Sequence, residues 1–279
     1  MSKTLKEKYG PWALVTGAST GIGRGFAHQL ARDGFDLVLV ARSIDKLKQV
    51  QQELQSKHSV QVHVAPIDLT APDALSKVRV IADDLNIGLL INNAGSGLPG
   101  EFLDNDLDEE LKVIDLNVRA LVELTHFFGR KFRDRGRGGI LNVSSMVAFQ
   151  GVPMFANYTG TKAFDLLFSE SLERELKPYG VDVLALAPGP VTTDLTSSWN
   201  LSAFPTAART PDKVARLALN AIGKKAIVIP GIGNKVLIFS GRFAPRKLLA
   251  IVMGRIIRKV LQSVPATGTP QSGAVLSKT

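Results

Sequence analysis

Tyr158 and Lys162 stand four residues apart in Asn157-Tyr158-Thr159-Gly160-Thr161-Lys162, with Ser144 and Ser145 a little upstream. On a helix, that spacing puts a phenol and an ammonium one turn apart on the same face. An unperturbed phenol titrates near pH ~10, too high to exchange protons readily at neutrality. A neighbouring cation favours the phenolate and moves the group toward what a general acid/base needs. Ser145, thirteen residues before the tyrosine, can hydrogen-bond the same substrate oxygen. Tyr-x-x-x-Lys is common by chance, so the elements that would hold the pair decide its meaning.

Those elements alternate. Short runs of Val, Leu and Ile read as strands at residues 12–16, 35–40, 60–65, 88–92, 138–143 and 181–187. Helical patterns separate them, from the glycine turn to about residue 32, then over 43–57, 72–84, 107–131 (one long helix with scope for a bend) and 155–177. Buried strands in regular alternation with helices predict a parallel sheet covered on both faces, a doubly wound three-layer α/β/α (Rossmann) fold in a single domain. The Tyr/Lys segment belongs to the helix that Pro178 and Gly180 end.

Directly after the first strand comes Thr16-Gly17-Ala18-Ser19-Thr20-Gly21-Ile22-Gly23. Glycines there let backbone amides approach a pyrophosphate, and the next helix offers its N-terminus to the charge. At the end of the second strand an acidic residue would accept the ribose hydroxyls of NAD. This chain has Ala41-Arg42-Ser43 instead, and Asp36 lies at the wrong end of the strand. Arg42 can pair with a 2′-phosphate, which points to NADP(H).

The composition narrows the alternatives. The 279 residues are 45% hydrophobic and 21% charged, and one core of this size holds as a single α/β domain. The absence of cysteine excludes disulfides and thiolate metal sites, and His28, His58, His63 and His126 lack ligand spacing, so no metal is expected. No secretory signal or membrane-spanning segment is expected either, which favours a cytoplasmic location. Twelve of the 34 bases follow Asp212, the last acidic residue, which leaves 22 bases against 25 acids up to and including it. The net charge of +9 therefore belongs to the last quarter of the chain.

The motifs together resemble the short-chain dehydrogenase/reductase family, in its Thr-Gly-x-x-x-Gly-x-Gly and Tyr-x-x-x-Lys branch. Asp68-Leu69 follows the third strand, where the family's Asp contacts adenine; Asn92-Asn93-Ala94-Gly95 follows the fourth and lines the cofactor cleft in relatives. Asn117 occupies the position of the family's catalytic Asn, and Ser145 has the spacing of its Ser; Ser144 is expected to point into the structure. Pro188-Gly189-Pro190-Val191-Thr192-Thr193 resembles the segment that binds the nicotinamide carboxamide. The resemblance covers about residues 11 to 230. The family's extended-branch epimerases and dehydratases also use Tyr-x-x-x-Lys, but they typically show Gly-x-x-Gly-x-x-Gly and a longer substrate domain, and neither is read in this sequence.

The resemblance implies hydride transfer between nicotinamide and a carbonyl carbon. Tyr158 would donate the proton, Ser145 hold the oxygen, Lys162 tune the phenol and bind the nicotinamide ribose, and Asn117 position a water linking Lys162 to solvent. The implied cofactor contacts are Gly17, Ser19, Thr20, Gly21, Ile22, Gly23, Arg42, Asp68, Leu69, Asn93, Ala94, Gly95, Tyr158, Lys162, Pro188, Gly189, Val191 and Thr193. Homodimers or homotetramers built through the long helices are common among relatives.

The segment 194–209, with Trp199, Leu201 and Phe204, corresponds to a mobile loop over the substrate in relatives and suggests an apolar ligand. Boundaries are expected at 1–10 for an N-terminal tail, 11–235 for the domain, 236–262 for a basic amphipathic extension and 263–279 for a flexible tail. A helix opened by Pro245 would place Leu249, Val252, Met253, Ile256, Ile257 and Val260 on one side, opposite Lys247, Arg255, Arg258 and Lys259. Three uses fit it: packing on the core or a partner copy, lying on a membrane surface, or docking an acidic carrier such as acyl carrier protein or the phosphates of coenzyme A. Nucleic acid is not expected, because no reading motif accompanies the charge. Two functions follow: an NADP-dependent reductase of an apolar ketone or aldehyde (a 3-oxoacyl thioester or steroid-like ketone), or a membrane-associated nucleotide-binding sensor with vestigial catalysis.

Overall fold

A computed structural model of the chain describes residues 3–193, 196–197 and 199–261. Among these residues, seven parallel strands run in the order β3-β2-β1-β4-β5-β6-β7. They are β1 (Trp12–Thr16), β2 (Asp36–Ala41), β3 (Val62–Pro66), β4 (Ile87–Asn92), β5 (Gly138–Val143), β6 (Val181–Leu186) and the short edge strand β7 (Ile227–Val228). Side chains alternate between two cores, as a pleated strand requires. Ala13 and Val15 of β1, with Leu37 and Leu39 of β2, face one core; Trp12, Leu14, Val38 and Val40 face the other.

The first core is covered by α2 (Gly21–Arg32), α3 (Ile44–Lys57) and α8 (Pro211–Leu219). The second is covered by α4 (Ala74–Asp83) and α6 (Ala120–Asp134), with the end of α7 (Ala156–Leu176) against it. Because strand order reverses between β1 and β4, the loops after these strands diverge to opposite sides and leave a crevice at their carboxyl ends.

The structure refines three expectations. Residues 1–10 are not a tail throughout: Thr4 caps a helix α1 (Leu5–Tyr9) through a reciprocal capping box with Glu7. Tyr9 is fully buried against the first core, and its hydroxyl donates to Asp182 at 2.8 Å. The long bent helix expected over 107–131 is α5 (Leu107–Ile114), a π-helical turn (Asp115–Arg119) and α6 in unbroken succession, and the turn carries Asn117. The third concerns the C-terminal extension, where α9 (Ile232–Gly241) precedes α10 (Arg246–Leu261). Met253, Ile257 and Val260 of α10 are buried, Met253 and Ile257 in a third core with Val152 and Phe155, so this helix is part of the folded domain. Val252, expected on the packed side, is 42% exposed. The stretch expected to be a flexible tail, 263–279, lies outside the described residues.

Candidate active site

The crevice at the β1/β4 switch is a cleft of about 510 Å³, within the range of small-molecule sites. Every residue expected to contact cofactor or substrate lines it, except Gly23 and Asn117. At Gly23 a Cβ would stand 2.2 Å from the Gly17 carbonyl oxygen, so only glycine lets the loop close on the start of α2. Gly17 itself has φ +62° and backs onto Asn93 and Ala94. The Asn93 side-chain amide donates to the carbonyls of Thr16 (2.9 Å) and Gly17 (3.2 Å), while Thr16 Oγ1 accepts from the amides of Asn93 and Ala94, each at 2.9 Å. These bonds tie the loops after β1 and β4 into one floor. No side chain caps α2, so its first amides remain for an anion.

Arg42 follows β2, with Lys46 on the first turn of α3 beside it. Asp36 is spent at the far end of the strand, accepting from the Gln61 amide at 2.7 Å. Asp68 accepts from the backbone and hydroxyl of Thr70. The backbone bond holds its carboxyl below the usual carboxylate range against burial, with the Thr70 hydroxyl and then Arg42 adding to the effect.

The Tyr/Lys pair sits on the first turns of α7. Lys162 is buried, and its Nζ lies 5.9 Å from the centre of the Tyr158 ring. The ammonium donates to the Val143 carbonyl and to Asp165 Oδ2, both at 2.9 Å. Burial opposes its charge, but the Asp165 carboxylate and the Tyr158 phenol outweigh that, and the group titrates above the ordinary ammonium range. Three N–H donors with two committed leave one for a ligand or water. Gly97 faces the other side of Tyr158: a Cβ there would meet Cδ2 of the ring at 2.8 Å. Ser145 lines the cleft at the start of a 3₁₀ turn, its Oγ accepting from the Val147 amide at 3.4 Å. Ser144 turns inward as expected and donates to the Lys162 carbonyl at 2.6 Å.

Asn117 does not face the cleft. Its Oδ1 accepts from the Ser96 amide at 2.9 Å, and its Nδ2 donates to the Ser96 carbonyl at 2.8 Å and to Thr161 Oγ1 at 2.9 Å. Both ends of the side chain are thus taken up in joining the loop after β4 to α7.

Several positioning residues surround the pair, and of these only Asn92 and Asn157 belong to motifs read from the sequence. Asn92 donates to Thr125 and Asn142, and Asn142 to Ser169, each at 2.9 Å, so a buried polar chain pins β4 and β5 to α6 and α7. Glu110, also buried, accepts from Asn105 (2.7 Å) and Asn157 (2.6 Å) and fixes the start of α7. Asp165 and Glu110 looked like ordinary helix charges. Only their burial distinguishes them.

The opposite end of the cleft is apolar, formed by Phe155, Trp199, Leu201, Phe204 and, from α10, Ile257. Phe155 packs against both Tyr158 and Trp199, with ring centres 5.9 and 5.5 Å apart. Of the aromatic loop 194–209, residues 194, 195 and 198 lie outside the described residues.

A glycine cradle at a switch point, joined in one cleft to a Tyr/Lys pair, defines a dinucleotide-dependent oxidoreductase with a doubly wound sheet. The chain belongs to the short chain dehydrogenase family, whose model matches residues 11–203. It is an oxidoreductase of the kind that acts on CH–OH/C=O groups. It is 39% identical to a very-long-chain 3-oxoacyl-CoA reductase of Bos taurus over 190 residues, 67% of this chain and 61% of that protein. With a 7beta-hydroxysteroid dehydrogenase of Mediterraneibacter gnavus it shares 31% identity over 238 residues, 83% and 90% of the two chains. A solved 7beta-hydroxysteroid dehydrogenase superposes with a TM-score of 0.83 at 28% identity, over 90% of this chain and 99% of that one. A short-chain dehydrogenase from Sphingobium yanoikuyae in complex with NADPH superposes at 0.75 with 32% identity, over 86% and 95%. Among the described residues no helix is long and apolar enough to cross a membrane.

Proposed function

We propose that the protein is an NADP(H)-dependent reductase of a bulky apolar ketone or aldehyde, of the 3-oxoacyl thioester or steroid-like kind. The observation that carries this reading is the shared cleft, which has Arg42 and Lys46 at one end, Ser145 and Tyr158 in the middle and an aromatic wall at the other. The glycine cradle leaves room for a pyrophosphate, and Arg42 and Lys46, two bases just past the end of β2 where an acid would favour NAD instead, suit a 2′-phosphate. The NADPH complex of the Sphingobium relative supports the same choice.

When bound, the nicotinamide supplies the hydride. Tyr158 donates the proton that balances it, to the carbonyl oxygen of the substrate. Ser145 hydrogen-bonds that oxygen and orients it. Lys162 keeps a positive charge beneath the phenol and has one N–H left for the ribose. Asn117 holds Ser96 and Thr161, and so keeps the loop after β4 registered against α7. A homodimer or homotetramer is supported by Leu107, Leu111 and Ile114 on α5 and Phe164 and Leu167 on α7, all large, apolar and exposed.

NADPH consumption across ketones, aldehydes and 3-oxoacyl thioesters tests the reading, with Tyr158→Phe as the control. Loss of about 100-fold or more in kcat, with NADPH binding retained, is the expected result. Undiminished turnover in that variant removes the proton-donor role, and a nucleotide-binding protein inert toward every substrate would fit the sensor reading instead.

A further inference from the structure

Beyond the cleft, one surface combines exposure, hydrophobicity and charge of a single sign. On α9, Ile232, Val236, Phe239 and Phe243 recur at spacings of four, three and four, and so form one stripe along the helix and the turn after it. They are 79%, 60%, 62% and 78% exposed. Lys235 and Arg242, also exposed, fall within the same stripe. Leu248, Ile251 and Val252 form a second exposed apolar patch on α10, continued one turn on by Arg255 and Lys259. The two helices meet where Gly241 approaches Leu249, and a recess of 550 Å³ beside that junction is walled by Arg242, Arg246 and Lys247.

We propose that α9 and α10 dock this protein on an anionic phospholipid surface. The apolar side chains enter the interface, and the bases around them, including those at the recess, meet lipid phosphates. Charge complementarity selects this occupant. No acidic residue follows Asp212, so a twofold contact between copies through this face would set bases against bases with no carboxylate from either helix to pair them. An acidic protein would satisfy the bases but leave seven large apolar side chains needing a matching groove, whereas a bilayer interface accepts both without one. The inner face of α10 carries Ile257 into the cleft, so docking puts the apolar end of the cleft about one helix diameter, ~10 Å, from the lipid. The inference stands on the surface alone and does not depend on the identity of the substrate.

Vesicle flotation of the full chain tests it, with phosphatidylcholine vesicles compared with vesicles that also contain phosphatidylglycerol. Binding to the anionic vesicles, weakened by salt and much weaker on phosphatidylcholine alone, is expected. Arg242→Ala with Arg246→Ala should reduce anionic-vesicle binding about 30-fold. Phe239→Ala and Phe243→Ala should each reduce it roughly tenfold. These side chains are exposed, so thermal melting and NADPH binding should match the parent protein, and that comparison separates lost docking from lost folding. No vesicle binding, equal binding to both vesicle types, or unchanged binding in the variants overturns the proposal. So does dissociation of an oligomer by the phenylalanine substitutions without a change in vesicle binding, because a second copy would then cover this face.

Discussion

Replacing Arg42 by alanine separates the two nicotinamide cofactors more sharply than any other change in the cleft. Arg42 lies just beyond β2, exposed, with Lys46 as its neighbour and Asp36 held at the opposite end of the strand by Gln61. A guanidinium paired with phosphate makes charge-assisted hydrogen bonds that contribute about 1.5–3 kcal/mol. Because the side chain is open to solvent and salt, the lower half of that range applies, about 1.5–2 kcal/mol. That corresponds to roughly a 10- to 30-fold rise in the Kd for NADPH. NADH has no 2′-phosphate, so its Kd should change by less than about twofold. Adding Lys46→Ala removes the second base, and the combined loss for NADPH should approach about 100-fold at low salt and shrink as salt rises. Titration of the bound cofactor's fluorescence, with NADPH and NADH in parallel at two salt concentrations, measures all four values. Equal weakening of both cofactors by Arg42→Ala, or a parent protein that binds NADH as tightly as NADPH, refutes the phosphate assignment.

Gly97→Ala should push the Tyr158 ring off its position, because the new methyl would lie 2.8 Å from Cδ2. A shift of about 1 Å in a proton donor is enough for a roughly 100-fold fall in kcat; steady-state kinetics should show that fall, with cofactor binding little affected. Alkaline stability gives a separate check. Burial, reinforced by Asp182, drives the Tyr9 phenol far above its ordinary range, and the Asp165 partner lifts Lys162 above its own. The folded chain therefore keeps two protons that the unfolded chain releases from about pH 10 upward. Stability should be level with respect to these groups below that point and then fall, by up to about 1.4 kcal/mol per pH unit for each group while only its folded form stays protonated. Urea titrations of Tyr9→Phe across this range should show a shallower decline, and an identical slope would remove Tyr9 from the account.

Much of the framework was legible because it is written in local patterns. Short continuous apolar runs marked six of the seven strands described, since a parallel sheet covered on both sides needs continuous buried segments. β7 escaped because two residues carry no periodicity. Two short helices, α1 and α9, were missed for related reasons. The signal for α1 was a single capping box, and the exposed apolar stripe of α9 has no buried partner pattern. The bend in the long helix could not be placed from the sequence, because the π turn at Asn117 contains neither proline nor glycine.

The sequence by itself determined the alternation of elements, the glycine loop, the base after β2 and the spacing of Ser145, Tyr158 and Lys162. Each of these depends on residues within a turn or a strand of one another, or on a motif of fixed spacing. Tertiary structure alone decided which charges matter and how the cleft is closed. Asp165 and Glu110 differ from solvated helix carboxylates only by being buried, and burial is set by what the sheet and neighbouring helices bring over them. Asn92, Thr125, Asn142 and Ser169 form one polar chain although 33, 50 and 27 residues separate the bonded pairs. Ile257 reaches the cleft only because α10 folds back onto Phe155 and Val152. Local spacing singled out Tyr158 and Lys162, and the packing of distant segments set them in a pocket.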